Sequence, residues 1–267
     1  MLLDHLCLSY KSQTSDYLTD CLWCGGQKLS IAKTDDYQFQ CWNCKQTGNA
    51  FSIIRRFHEW VDQPDSYSEL THAKKGVHTQ QLRDQQVVEF NGYWFLPIFN
   101  HKKQIISIHK YRIDGEGVYN CPEPCNCSML GLEKFDTENK LVIIAEGWWD
   151  YFVARRITSA HQSNVIATTG STFPVDYLYL LDGMTVITAY DNDEAGRNGT
   201  HKLHVDLKRS VYKPEALFFL DWSDLDKPDK YDIRDLNNEF ENPTPRIKQR
   251  PKQRPQQRIK QRPKPKV

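Results

Sequence analysis

Two closely spaced cysteine pairs near the start of the chain place the strongest limit on its fold. Cys21 and Cys24 form one CxxC pair, Cys41 and Cys44 form the other, and 16 residues separate the pairs. Each CxxC turn points two thiolates at one ion, and four thiolates complete the tetrahedral shell that Zn²⁺ prefers. Because four protein ligands leave no open position, the pattern predicts one structural zinc ion in a ribbon domain over residues 1–60.

The segment between the cysteine pairs (KLSIAKTDDYQFQ) predicts a hairpin with its turn at Asp35 and Asp36. The aromatic residues of the ribbon have two possible roles, which the sequence leaves open. They can stack on unpaired nucleic-acid bases, or they can form the small core that a zinc module needs. These residues are Trp23, Tyr37, Phe39 and Trp42.

From about residue 138 the chain alternates short apolar runs with helical patterns. The predicted strands are LVIIA (141–145), VIATT (165–169), TVITAY (185–190) and EALFFL (215–220), and the predicted helices cover 148–157, 175–181 and 194–209. Such alternation is typical of a mostly parallel α/β sheet. We therefore expect a parallel-sheet α/β domain over residues 138–242, with its site at the carboxyl ends of the strands.

Acidic residues follow these strands at the expected edge. Glu146 ends the first strand, Asp150 follows it, Asp191 and Asp193 follow the third strand, and Asp232 comes after the fourth. Oxygen ligands gathered at one edge suit Mg²⁺ or Mn²⁺. The alternative is that Asp191 and Asp193 are surface turn residues or a helix cap.

The remaining segments have different compositions. Residues 61–85 are polar and predict a linker or a short solvated helix, whereas 86–137 contain strand-like runs and predict a basic α+β subdomain. Residues 243–267 repeat RIKQRPK and predict a disordered tail, since proline, glutamine and like charges cannot bury enough surface to fold. Ten of the 35 basic residues lie in 246–267, so the rest of the chain, with 34 acidic residues, has a net charge of −9. Such a tail can bring an acidic body to single-stranded DNA, or it can serve solubility or partner docking.

Several classes of protein are excluded by the composition. No run of about 18 apolar residues exists, which excludes a membrane span, and the first residues lack the apolar stretch of a signal peptide. We therefore expect a cytoplasmic protein whose eight cysteines bind metal or stay free. Cys121, Cys125 and Cys127 are either free thiols or, with His109 or Cys7, a second metal site.

The acidic motifs EGWWD, AYDNDEAG and YDIRDL resemble those of the TOPRIM domain. The four-cysteine ribbon followed by TGNAFSIIRRF resembles the zinc-binding domain of bacterial and phage DNA primases. The segment WFLPIFN to LGLEKF resembles the basic subdomain that precedes TOPRIM in those enzymes. The order of the three parts is the same, it covers residues 20–240, and it is most similar to the primase half of phage helicase–primases.

The resemblance implies synthesis of short RNA primers on a single-stranded DNA template from ribonucleoside triphosphates, with the zinc ribbon reading the template. It implies catalysis by Glu146, Asp191 and Asp193 with two Mg²⁺ or Mn²⁺ ions, and it adds Asp150 and Asp232 as further metal ligands. Basic residues of the middle subdomain would bind nucleotide phosphates or template: Lys102, Lys103, His109, Lys110 and Arg112. Lys110 and Arg112 alternate with Tyr111, so both would face one side of a strand; the alternative is a solvated strand face.

A separate replicative helicase is the expected partner, because the chain contains no GxxxxGK[ST] loop, and a phage-infected or mobile-element host cell is the expected setting. Two alternatives stay open: a recombination mediator that combines zinc and TOPRIM without catalysis, and a TOPRIM nuclease. Two features depart from the family pattern. Trp148 and Trp149 are bulky for the EGxxD loop, with core packing favoured over stacking on substrate, and Arg234 stands where many relatives carry asparagine.

Overall fold

The computed structural model describes residues 1–114, 118–222 and 227–241. Three sheets follow one another along these ranges. The tail over 243–267, which was expected to be disordered, lies outside the described residues. Within the described ranges, no helix has both the length and the apolar character needed to cross a bilayer.

The N-terminal part is a five-stranded antiparallel sheet that ends in a helix. Its strands pair in chain order, and β3 pairs with β4 around a turn in which the Tyr37 amide donates to the Thr34 carbonyl, so the predicted hairpin is confirmed. The helix after the sheet begins at the cap Asn49, and an apolar stripe along it is buried. The elements are α1 (Leu2–His5), β1 (Tyr10–Ser12), β2 (Asp16–Thr19), β3 (Leu29–Ala32), β4 (Phe39–Cys41), β5 (Thr47–Gly48) and α2 (Ala50–Trp60).

Residues 61–85 differ from the expected linker or solvated helix. They form two short helices, α3 (Ser68–Ala73) and α4 (Thr79–Asp84), and four of their apolar side chains are buried in the core. The Tyr67 hydroxyl also donates to the Val87 carbonyl at 2.7 Å. These side chains are Tyr67, Leu70, Val77 and Leu82, whose irregular spacing carries no helical period and therefore gave no signal in the sequence.

The middle sheet is antiparallel and is covered on both faces. One face packs on α1, α2 and the ribbon through Phe95 and Ile108, whereas the other packs on the C-terminal part through Trp94 and Leu96. Because alternate side chains point to opposite faces, β7 is buried from Trp94 to its end. The strands are β6 (Val88–Phe90), β7 (Tyr93–Phe99), β8 (Ile105–Tyr111) and β9 (Val118–Tyr119).

The third sheet is the predicted α/β sheet, and it has the order β10-β12-β11-β13-β14. Four strands are parallel, and β10 is an antiparallel edge strand. The four predicted strands and the predicted helices over 148–157 and 194–209 are confirmed, and 175–181 forms a 3₁₀ helix. The elements are β10 (Met129–Leu130), a 3₁₀ helix (Leu132–Lys134), β11 (Leu141–Glu146), α5 (Gly147–Ile157), β12 (Ser163–Thr168), a 3₁₀ helix (Val175–Leu181), β13 (Thr185–Ala189), α6 (Glu194–Arg209), β14 (Ala216–Phe219) and α7 (Ile233–Glu241).

The strand order places a crevice between β11 and β13. From β11 the chain crosses through α5 to β12 on one side, and from β13 it crosses through α6 to β14 on the other. Ligands of open α/β sheets bind outside the carboxyl ends of strands where the order reverses in this way. Trp148 and Trp149 are both buried in α5, as the core-packing interpretation expected, and pack towards the middle sheet.

Candidate active site

The sheet brings two acidic side chains together where β11 and β13 end. Glu146 is the last residue of β11, and Asp191 follows the end of β13 by two residues. The two strands are parallel neighbours, and the backbone amide of Asp191 donates a hydrogen bond to the Glu146 carboxylate. Within the part of the chain that the structure describes, the Oε2 atom of Glu146 is buried and has no hydrogen-bond partner. A buried carboxylate oxygen in this state is costly unless a cation approaches it.

Burial, together with neighbouring negative charge, raises the pKa of both side chains. Burial, followed by the charges of Glu146 and Asp232, raises the pKa of Asp191 to about 7. Burial also raises the pKa of Glu146, and the charge of Asp193 adds to this effect. A divalent cation would relieve the repulsion, so the donor set fits a bound Mg²⁺ or Mn²⁺ ion.

Asp193 forms a helix cap beside the other acids. Its Oδ1 accepts a hydrogen bond from the Gly196 amide at 2.7 Å, and α6 begins at the next residue. Position 196 requires glycine because a Cβ there would lie 2.2 Å from the Asp191 carbonyl oxygen. The capping role that the sequence left open is therefore present, and the role of Asp193 as a metal ligand stays a prediction.

Asp191, which lies beside Glu146, also belongs to a second group of acidic side chains that it forms with Asp150 and Asp232. Carboxylate oxygens of Asp150, Asp191 and Asp232 lie within 4.8 Å of one another, and Asp150 and Asp232 are only 4% and 5% exposed. The guanidinium of Arg234 reaches both buried acids. Its Nε lies 3.4 Å from Asp150 Oδ1, and its Nη2 donates to the Asp232 carboxylate. Arg234, which appeared in the sequence only as a departure from a pattern, is thus part of the cluster.

Lys74 is a further cation that the sequence interpretation missed. It lies at the end of α3, with its Nζ 4.9 Å from the centroid of the Tyr111 ring and 5.1 Å from that of Trp149. Burial lowers the pKa of Lys74, the charge of Arg234 lowers it further, and Asp150 opposes both. Lys74 therefore belongs to the same cluster, although its polar sequence surroundings gave no signal for it.

Lys110 and Arg112 lie on one side of the middle sheet, as their alternation predicted. Lys110 Nζ is 4.7 Å from the centroid of the Tyr93 ring, and Arg112 Cζ is 5.3 Å from the same point. Arg112 also forms a two-point ion pair with Asp114, at 2.9 and 2.6 Å. Tyr93, which the sequence analysis did not single out, joins the two cations into one surface.

The structure separates the other predicted basic residues from this surface. Lys102 and Lys103 lie in the turn before β8, eight and seven residues from Lys110, which is roughly 25 Å along an extended strand at about 3.4 Å per residue. His109 cannot reach a template from its place in the core, so its assignment to substrate binding is wrong. It is fully buried, it accepts a hydrogen bond from Trp148 Nε1 at 3.1 Å, and its Nε2 lies 3.0 Å from the Cys127 carbonyl oxygen. Its neighbours in the strand, Ile108 and Lys110, point to the other face of the sheet.

The four predicted zinc ligands converge. Cys21 Sγ lies 3.8 Å from Cys44 Sγ, and Cys24 Sγ lies 3.8 Å from Cys41 Sγ. A tetrahedron with Zn–S bonds of about 2.3 Å has edges of about 3.8 Å, so the four thiols fit one zinc ion. Among the described residues, the groups of three or more ligands do not include Cys121, Cys125 and Cys127, so the second metal site is not formed there.

A cavity of about 330 Å³ opens beside Asp191, between α6 and the end of β14. Its walls combine apolar rings with basic side chains. No sequence pattern indicates this cavity, because its lining comes from three separate segments. The rings are those of Tyr190, Phe219 and Trp222, and the basic side chains include Arg197 and His201.

Comparisons with known proteins agree with this architecture. A family model described as Toprim-like matches residues 143–227, the part that holds Glu146, Asp150, Asp191 and Asp193. No curated protein sequence matches the chain.

Solved structures of primases share the fold. The zinc-binding and RNA polymerase domains of the Aquifex aeolicus primase match with a TM-score of 0.50 and 16% identity, over 90% of this chain and 80% of that chain. The Escherichia coli primase catalytic core matches with a TM-score of 0.54 and 15% identity, over 71% and 75%. A primase catalytic domain bound to single-stranded DNA matches with a TM-score of 0.54 and 16% identity, over 71% and 74%. The chain therefore combines a four-cysteine ribbon and a Toprim-like domain in a primase fold, as the sequence motifs predicted.

Proposed function

We propose that this chain is a DNA primase, which synthesises short RNA primers on single-stranded DNA from ribonucleoside triphosphates. One observation carries the proposal: Glu146 and Asp191 meet at the crevice of the parallel sheet, with an unpartnered buried oxygen on Glu146. The same chain contains a ribbon fitted for zinc, and its fold is that of primases, one of which binds single-stranded DNA.

In primer synthesis a 3′-hydroxyl attacks the α-phosphate of a nucleotide, and pyrophosphate leaves. A bound Mg²⁺ or Mn²⁺ ion would lower the pKa of that hydroxyl and neutralise charge on the phosphates. Glu146, Asp191 and Asp193 would hold the ion at the end of the crevice. The resemblance predicts two such ions. Arg234 forms ion pairs with two of the carboxylates that would bind them, Asp150 and Asp232.

The cations of the middle sheet and of α3 have separate tasks in this proposal. We assign Lys110 and Arg112 to phosphates of the nucleotide or template, since both lie on the Tyr93 ring at the surface. Lys74 lies between Tyr111 and Trp149 and supplies positive charge from within the protein. These groups act by position and charge, which is how proteins contribute to phosphoryl and nucleotidyl transfer.

The ribbon is assigned to template recognition. Trp23 and Phe39 stack on each other at 4.9 Å and belong to the core of the ribbon, whereas Trp42 is 55% exposed. Trp42 lines a surface groove with Gln38 and Gln40, whose amides can donate to and accept from base edges. Of the four aromatics, Trp42 is therefore the one placed to stack on an unpaired base.

The test is primer synthesis by the full chain. The protein is incubated with mixed-sequence single-stranded DNA, four ribonucleotides and Mg²⁺ or Mn²⁺, and the products are separated on a sequencing gel. Wild type is expected to make short RNA, Asp191→Asn to make none, and Lys102→Ala to match wild type. Template degradation without RNA would favour the nuclease, and DNA binding without any turnover would favour the mediator; either outcome rejects the proposal.

A further inference from the structure

Arg234 brings a permanent positive charge into the acid cluster. A guanidinium stays protonated at any physiological pH, and this one is ion-paired with two carboxylates that are almost completely buried. It approaches Asp150 from one side and Asp232 from the other, and its charge also acts on Asp191. The cluster therefore contains its own cation among the carboxylates that would otherwise attract a divalent ion.

The backbone fixes this arrangement. Asp232 Oδ1 accepts a hydrogen bond from the Asp235 amide at 2.9 Å, which caps α7 with Arg234 in its first turn. Asp150 lies in the first turn of α5, and α5 packs against α7. The guanidinium is thus held between two helix starts and cannot leave without exposing two buried, unpaired carboxylates.

The two sides of the acidic cluster consequently offer different sites. Among the described residues, Glu146 Oε2 and Asp150 Oδ1 are both buried without a hydrogen-bond partner, but only Asp150 Oδ1 has a cation beside it, the Arg234 Nε at 3.4 Å. On the side of Asp150 and Asp232, Arg234 offsets one of the two carboxylate charges, and Lys74 adds a second cation that interacts with Asp150. A divalent ion placed there would face like charge, which disfavours its binding.

We propose that Arg234 takes the place of one divalent cation, so that this site binds a single Mg²⁺ or Mn²⁺ ion, held by Glu146, Asp191 and Asp193. Asp150 and Asp232 then position Arg234 instead of binding metal. The inference shares one assumption with the proposed function, namely that these carboxylates bind the divalent metal ion.

The test counts Mn²⁺ ions bound to the zinc-loaded full chain, by electron paramagnetic resonance of free Mn²⁺ during a titration. Wild type is expected to bind one ion, Arg234→Asn two, and Arg234→Lys one, because lysine keeps the charge. Arg197→Asn is the matched control, since Arg197 hydrogen-bonds Asn192 and forms no ion pair with a described carboxylate. Two ions in wild type, or one ion in a folded Arg234→Asn, overturn the inference.

A second variant decides the question if Arg234→Asn does not fold. Asp150→Asn is expected to change the Mn²⁺ dissociation constant by less than about twofold, because Asp150 contacts Arg234 and not the ion. Weakening by about tenfold or more would make Asp150 a metal ligand and reject the inference. Neither measurement depends on turnover. If the protein binds one ion and makes no primers, only the proposed function is rejected. If it makes primers and binds two ions, only this inference is rejected.

Discussion

Replacing Asp191 by asparagine is expected to stabilise the protein when Mg²⁺ and Mn²⁺ are absent. The pKa of Asp191 is raised from 3.8 to about 7, chiefly by burial and then by Glu146 and Asp232. The folded state therefore disfavours the ionised carboxylate. This cost is absent below pH 4, grows between about pH 4 and 7, and is constant above pH 7.

The size of the effect follows from the shift. About 3 pKa units correspond to about 4 kcal/mol at 1.36 kcal/mol per unit. Because Asp191 is partly exposed, solvent screening reduces this to about 2 kcal/mol. For a chain of this size, that free energy corresponds to a rise in Tm of roughly 4–8 °C.

The assay is thermal unfolding of the zinc-loaded protein at pH 8 and pH 5, with and without Mn²⁺. At pH 8 without Mn²⁺, Asp191→Asn is expected to melt above wild type, and the difference is expected to shrink at pH 5. Mn²⁺ should stabilise wild type more than the variant, because the variant lacks a ligand. Asp176→Asn is the control, since this exposed carboxylate lies outside the acidic cluster. An Asp191→Asn protein that melts at or below wild type at pH 8 without Mn²⁺ would refute the reasoning.

Three further predictions concern other parts of the molecule. Trp148→Phe removes the donor to His109 Nδ1 and leaves a buried acceptor unpaired, which is expected to cost about 2 kcal/mol in urea unfolding; an unchanged midpoint contradicts it. Cys44→Ser is expected to reduce the zinc content from one ion per chain to none, as measured by metal analysis, and full retention would remove Cys44 from the ligand set. Lys110→Ala is expected to raise the KM for ribonucleotides or template roughly tenfold, as loss of a charge-assisted contact does, whereas Lys102→Ala serves as the control; equal effects would reject the assignment of Lys110.

The acidic crevice could be predicted from sequence because strand and helix periods alone place Glu146 and Asp191 at one edge. The ribbon could be predicted because four cysteines in two CxxC pairs can bind one tetrahedral ion only in a few backbone arrangements. The burial of His109 could not, since β8 is covered on both faces and its residues alternate between two cores. The contacts of Arg234 could not be predicted either. They arise because α7 packs against α5, and no spacing of residues in the sequence indicates that packing.

The middle sheet connects the ribbon to the acidic crevice through opposite faces of one strand. On one face of β8, α2 packs closely, and Arg55 donates to the Ile105 carbonyl at 2.9 Å. On the other face, His109 meets Trp148 in the helix that starts at Glu146. The surface cation Lys110 follows His109 in the same strand. A ribbon held in this way stands at a set distance from the carboxylates, so a template base bound by the ribbon and a nucleotide at the crevice would be positioned by one rigid element.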